Sequence, residues 1–155
     1  MQQQETPVTD STMSLELQPV AARAEKGLRA AGYLIDVLPA ILLGLFGIIP
    51  IVGPIIAGFL LAPYWLLRDV TGASIGKLIL GLKVARKDGQ PATVGARVLR
   101  NLTLAIGPGL LIIPILGYVL GPVTAFIAVS VETILLLSSG ERLGDRMAGT
   151  TVVKR

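Results

Sequence analysis

Two carboxylates, Asp36 and Glu132, stand within otherwise apolar sequence. An ionisable side chain at membrane depth costs on the order of 2.5–3.5 kcal/mol on insertion scales, so each needs a partner or a task. Facing one another in a low-dielectric bundle, the two would contend for one proton, a chemistry that suits proton or cation exchange. The alternative is structural. Asp36 would then pair with a basic residue, Lys77 and Arg100 being the candidates. Glu132, with Ser130 and Thr133 beside it as hydrogen-bond partners, would pair with an arginine. Arg29 lies seven residues before Asp36 on the same helical face, about 10 Å along the axis and too far for an easy direct pair. Asp145 is the expected partner of Arg29, a clamp that would draw the C-terminal segment to the first helix. The chain has no Cys and no His, which excludes disulfides, thiol nucleophiles, histidine bases and the usual zinc sites. The reading is non-enzymatic, with no metal and no cofactor. Gly72-Ala-Ser-Ile-Gly-Lys77 has three residues between its glycines and Leu78 after the lysine. A phosphate loop needs four residues there and then Ser or Thr, so nucleotide binding is not expected.

The elements that must carry these side chains follow from composition. Of 155 residues, 52% are hydrophobic and 15% charged, with mean hydropathy +0.72, outside the usual range of soluble domains. The apolar residues form two long blocks, Tyr33 to Leu67 and Leu102 to Leu137. The first would be about 52 Å long as one helix, against a hydrocarbon core of roughly 30 Å. It must fold in two, and Pro50-Ile51-Val52-Gly53-Pro54 supplies the break. In the second block the break is expected at Gly117-Tyr118-Val119-Leu120-Gly121-Pro122. That leaves a last arm of about 16 residues, roughly 24 Å, short enough for a re-entrant segment to stay open as an alternative. Pro108 and Pro114 should kink the arm before it.

All fourteen Lys and Arg fall before Tyr33, between Arg68 and Arg100, or from Arg142 onward. The positive-inside rule then predicts four spans with both termini cytoplasmic. The fold class expected is an all-α membrane protein of about four transmembrane helices as two helical hairpins, with an amphipathic cytoplasmic connector and a small β-hairpin. Its segments are a disordered polar tail over 1–27, hairpins over 28–67 and 102–137, a basic connector over 68–101 and a cytoplasmic C-terminal tail over 138–155. In the connector, Ile75, Leu78, Ile79 and Leu82 follow helical spacing and predict an amphipathic helix on the membrane face. Near Gly81 it would yield to strands around the Asp88-Gly89 turn, the second including Pro91 and Ala92, and Thr150 to Val153 could add to them. Thr93 caps the next helix. The net charge of +4 and pI of about 9.8 point to anionic lipid rather than nucleic acid.

Three smaller features have plain explanations. Ile48-Ile49-Pro50-Ile51-Val52-Gly53 echoes Ile112-Ile113-Pro114-Ile115-Leu116-Gly117. Repeats occur in transporters, but six residues point to chance or the shared needs of a hairpin. Gly117 and Gly121 match a helix-dimer spacing yet fall at the expected turn. Tyr64 and Trp65 fit an interfacial anchor, with Arg68 snorkelling beyond them.

Taken together, the chain resembles the RDD family of small bacterial membrane proteins, named for one Arg and two Asp. Arg29-Ala-Ala-Gly-Tyr-Leu-Ile-Asp36 is similar to its first-span motif, and Arg142-Leu-Gly-Asp145-Arg-Met-Ala-Gly-Thr-Thr-Val-Val153 to its closing motif. Gly72 to Lys77, Gly81 to Val84, Asp88-Gly89 and Arg100-Asn101 match its connector, with Ser74 where Thr is common. Glu132 is not a feature of the family pattern. The resemblance implies a small helical bundle in the bacterial inner membrane. It does not supply a mechanism, cation and proton exchange being one suggestion for the family. The expected role is an assembly, scaffold or modulator component that packs on itself or on another membrane protein. A proton-coupled cation transporter is the alternative.

Overall fold

The structure, a computed structural model, describes residues 22–155. The expectation of disorder over 1–21 lies outside the described residues. Residues 22–27, assigned to the same tail, are ordered. Ala24 is buried and donates its N–H to the Val152 carbonyl at 2.9 Å, and α1 begins at Lys26.

Helix α1 (Lys26–Gly44) runs on through a 3-10 turn, Leu45–Ile48. The chain then reverses into α2 (Gly53–Leu67). The connector holds α3 (Ile75–Ile79), β1 (Leu82–Arg86) and α4 (Val94–Leu99). A short α5 (Leu102–Leu110) leads into the long α6 (Leu116–Ser139). The chain closes with α7 (Leu143–Ala148) and β2 (Thr150–Lys154). Lys26–Ile48 and Leu116–Ser139 are long and apolar enough to cross a bilayer. Their outward faces carry Leu38, Ile48, Phe126, Ile127 and Ile134, all exposed. Apolar area on that scale is stable against lipid and not against water.

Helix α5 packs between α2 and α6, and α1 packs against α2 and α3. Between α1 and α6 an apolar groove remains, lined by Leu34, Ala30, Val129 and Leu136. A small core at one end holds Ala40, Trp65, Leu104 and Ala105.

The two turns share one geometry. Val52 donates to the Pro50 carbonyl at 2.8 Å and Leu116 to the Pro114 carbonyl at 2.7 Å. These are γ-turns centred on Ile51 (φ 68°) and Ile115 (φ 64°), a strained conformation for a β-branched residue. Gly53 and Gly117 then donate to Ile49 and Ile113, each at 2.9 Å. The echo in the sequence is one hairpin device used twice.

Several expectations are corrected. The second turn lies at 111–115, and Gly117 to Pro122 continue as helix. The short arm of that hairpin is therefore α5, about 13 Å long, while α6 reaches about 36 Å. Packing decides it: Gly107 lies against the backbone of Ala125, and Gly121 against Leu111 and the Gly107 carbonyl. Gly117 and Gly121 are thus contact points between helices, and this contact outweighs the local turn propensity of Gly and Pro. The connector helix ends at Ile79. Leu82, read as its last apolar position, is fully buried with Ala24 and Val152. Strand β1 pairs antiparallel with β2, Val84 opposite Val152. The local hairpin is reduced to a single bridge from Ala85 to Pro91. Thr93 caps α4, its Oγ1 accepting from the Ala96 N–H at 3.2 Å.

Candidate functional site

At the end of the bundle where α1 starts, α2 and α6 finish and α5 begins, nine charged side chains are buried together. Arg29, Lys77, Arg100 and Arg142 lie at 7% exposure or below, as do Asp36, Asp69, Glu132 and Asp145. The Arg68 side chain is 2% exposed. Local sequence brings each to the place. Arg68 and Asp69 follow directly on α2. Lys77 sits on α3, whose Gly76 packs against α1 with no room for a Cβ beside the Gly32 carbonyl. Arg100 occupies the junction between α4 and α5, and Gly144 of α7 lies flush against its carbonyl.

The contacts form a chain of pairs. Asp36 accepts from the Gly76 N–H at 2.8 Å and has the Arg68 guanidinium at 3.5 Å and the Lys77 ammonium at 4.0 Å. Lys77 bonds more closely to Asp69 at 2.7 Å and to the Ser74 hydroxyl at 2.9 Å. Asp69 also accepts from the Asn101 amide at 3.1 Å and lies 3.8 Å from Arg100. Arg100 donates to Asp145 at 2.5 Å. Arg29 donates to the other Asp145 oxygen and to the Gly140 carbonyl at the end of α6. Arg142 stands 3.6 Å from Asp145 and 4.0 Å from Glu132. Glu132 accepts from the Thr103 hydroxyl and from the Gly144 N–H at 3.1 Å. Arg68 stacks over Trp65 at 4.6 Å and Tyr33 at 5.3 Å, and Tyr64 donates to the Asp36 carbonyl at 2.6 Å.

The surrounding charge shifts the groups outside the helical spans. Asp69, flanked by Lys77, Arg100 and Arg68, is held well below the ordinary carboxylate range although burial opposes this. Asp145 is depressed likewise, by Arg100, Arg142 and Arg29. Burial brings Lys77 down to about 7, a shift that Asp69 only partly offsets.

The structure joins Arg29 to Asp145. It sets Lys77 near Asp36, but Arg100, the other candidate for Asp36, is taken by Asp145 and Asp69. Asp36 and Glu132 share no contact partner, Asp36 belonging to the Arg68–Lys77 side and Glu132 to the Arg142 side. The bonds to Glu132 come from Thr103 and Gly144 rather than Ser130 and Thr133. Trp65 is buried inside the bundle, and Arg68 points inward rather than snorkelling. Asp69 was not singled out by sequence reasoning, and Asn101 and Arg142 entered only within the family-like motifs, not as site residues. The signal for Asp69 was there in Arg68-Asp69, opposite charges side by side at the end of an apolar block. Among the described residues no cluster of Asp and Glu could hold a metal ion.

A helical membrane protein whose ends are gathered by one buried ionic network is the class that fold and site define. The profile of the RDD family matches residues 24–149, and the chain belongs to that family. No curated protein and no solved structure matches it.

Proposed function

We propose that this chain is a non-enzymatic assembly component of the bacterial inner membrane. It would be a four-element intramembrane scaffold with both termini cytoplasmic, docking a second copy or another membrane protein and meeting anionic lipid with its basic face. The observation that carries the reading is the engagement of every buried carboxylate among the described residues. Asp36, Asp69, Asp145 and Glu132 each accept at least one hydrogen bond from a neighbouring segment. Groups so occupied fasten segments together. The basic side chains also match a cytoplasmic face, since Lys83, Arg86, Lys154 and Arg155 are exposed beside the network.

One observation favours proton-coupled cation transport instead. Glu132 Oε2 is buried without a hydrogen-bond partner among the described residues, and its residue lines the groove between α1 and α6.

The cysteine-free sequence allows single Cys probes at Leu34 and Val129 in the groove, crosslinked in native membranes, alongside proton flux in proteoliposomes under Na⁺ or K⁺ gradients. Specific crosslinks at the groove without flux support assembly. Cation-dependent flux lost in folded Asp36→Asn or Glu132→Gln would replace it with transport.

A further inference from the structure

Within the network lies a cavity of about 20 Å³, lined by Arg29, Tyr33, Arg68, Lys77, Arg100 and Arg142 together with Leu136 and Val152. No carboxylate lines it. All four lining arginines carry buried nitrogens with no hydrogen-bond partner among the described residues: Arg29 Nε, Arg68 Nη2, Arg100 Nε and Nη1, and Arg142 Nη2. Two of these nitrogens reach a carboxylate only at ion-pair range, Arg100 Nη1 at 3.8 Å from Asp69 and Arg142 Nη2 at 3.6 Å from Asp145.

The charges do not balance. Arg29, Arg68, Lys77, Arg100 and Arg142 face Asp36, Asp69, Glu132 and Asp145, an excess of one positive charge in a buried cluster. An uncompensated charge in low dielectric is costly. The cavity is large enough for about one water-sized particle, which needs roughly 10–15 Å³. Water fits the chemistry poorly, because arginine and lysine only donate and a water placed among them would leave its own protons without acceptors. Only the Tyr33 hydroxyl could accept.

We propose that this cavity is a binding site for a small monovalent anion of the halide class, chloride being the physiological member. An acceptor-only ion takes the free N–H donors and cancels the excess charge in one step. The volume excludes phosphate-sized ions and organic acids. Lys77 offers the competing route to neutrality, since burial has brought it to about 7 and loss of its proton also balances the cluster. The charged and titratable groups facing it are Asp36 on α1, Arg68 and Asp69 after α2, Arg100 before α5 and Arg142 before α7. Anion binding and protonation of Lys77 therefore favour one another.

The test uses the full chain in detergent, with gluconate replaced by chloride, bromide or fluoride at constant ionic strength. Binding is read by ³⁵Cl line broadening and by fluorescence of the single Trp, Trp65, which lies under Arg68. Saturable halide binding is expected, with affinity falling as pH rises from 6 to 8.5. Lys77→Met makes the cluster neutral and should weaken binding by at least about tenfold; Glu132→Gln raises its charge and should tighten binding by a similar factor. Far-UV circular dichroism confirms folding of each variant. If Lys77→Met fails to fold, Glu132→Gln and the pH series on the parent decide. No saturable halide signal, a cavity holding only water, or a halide affinity that ignores both charge changes and pH would overturn the proposal. Crosslinking and flux read the assembly role, so the two claims fail separately.

Discussion

Replacing Asp145 with Asn removes the charge that holds three arginines and changes the side-chain shape very little. Asp145 is fully buried, with Arg29 and Arg100 donating to its two oxygens and Arg142 at 3.6 Å. Removing one partner from a buried ion pair costs about 3–5 kcal/mol, because the remaining charge stays desolvated. At roughly 2–4 °C per kcal/mol for a chain of this length, Asp145→Asn should lower the melting temperature by roughly 6–20 °C. Trp65 is the only tryptophan and packs under Arg68, so its fluorescence in detergent reports the network directly. The companion variant Arg100→Met/Asp145→Asn deletes both charges of the hydrogen-bonded Arg100–Asp145 pair and returns the cluster to its original net charge. It should recover at least about 1 kcal/mol of the loss, the size of coupling that contacting residues show. A single variant within about 1 kcal/mol of the parent would falsify the view of Asp145 as the keystone of the cluster. A double variant no more stable than Asp145→Asn would show that the charge left behind is not the source of the cost.

Acid should be tolerated well below the ordinary carboxylate range. Asp69 and Asp145 have depressed values in the folded chain, so their stabilisation is complete above the unfolded carboxylate value and is lost only as pH falls through the folded one. A Trp65 fluorescence titration that shows the network dissolving near pH 4 would contradict this. Lys77 acts in the opposite sense at the alkaline side. With the folded value at about 7 and the unfolded one at 10.5, its charging opposes folding, and without added halide stability should rise between these values, a rise absent in Lys77→Met. Gly76→Ala places a methyl on the Gly32 carbonyl and should cost about 1–3 kcal/mol in thermal denaturation. Ile115→Gly relieves a positive φ and should raise stability by about 1–2 kcal/mol, the cost of that backbone region for a residue with a Cβ.

Much of this was readable in sequence because the bilayer simplifies the code. Block lengths beyond the hydrocarbon thickness predict that each apolar block turns once, as it does at 49–52 and at 111–115. The Arg29–Asp145 pair was expected because Asp36, seven residues and about 10 Å from Arg29, is too far for a direct pair, while Asp145 stands just before the C-terminal strand. The second turn was misplaced because Gly117, Gly121 and Pro122 carry the usual marks of a turn, while their effect depends on Gly107 and Ala125 across the helix contact. The fate of Leu82 could not be read locally either, since its partner Lys154 in the strand ladder lies at the far end of the chain. The network as a whole was hidden for the same reason. Asp69, Asn101 and Arg142 become site residues only when α3 and α7 fold back on the bundle.

The clamp joins segments more than a hundred residues apart in the chain, and that sets an order of events during synthesis. Arg29 meets Asp145 and the Gly140 carbonyl, and Arg23 meets Gly140, contacts 116, 111 and 117 residues apart. At about 5–20 residues per second, Arg29 waits roughly 6–23 s after its own translation before its carboxylate exists. Throughout that interval the first turns of α1 carry an arginine without its carboxylate partner. A chain halted before Asp145 never leaves this state, its Arg29 left without the carboxylate that compensates it.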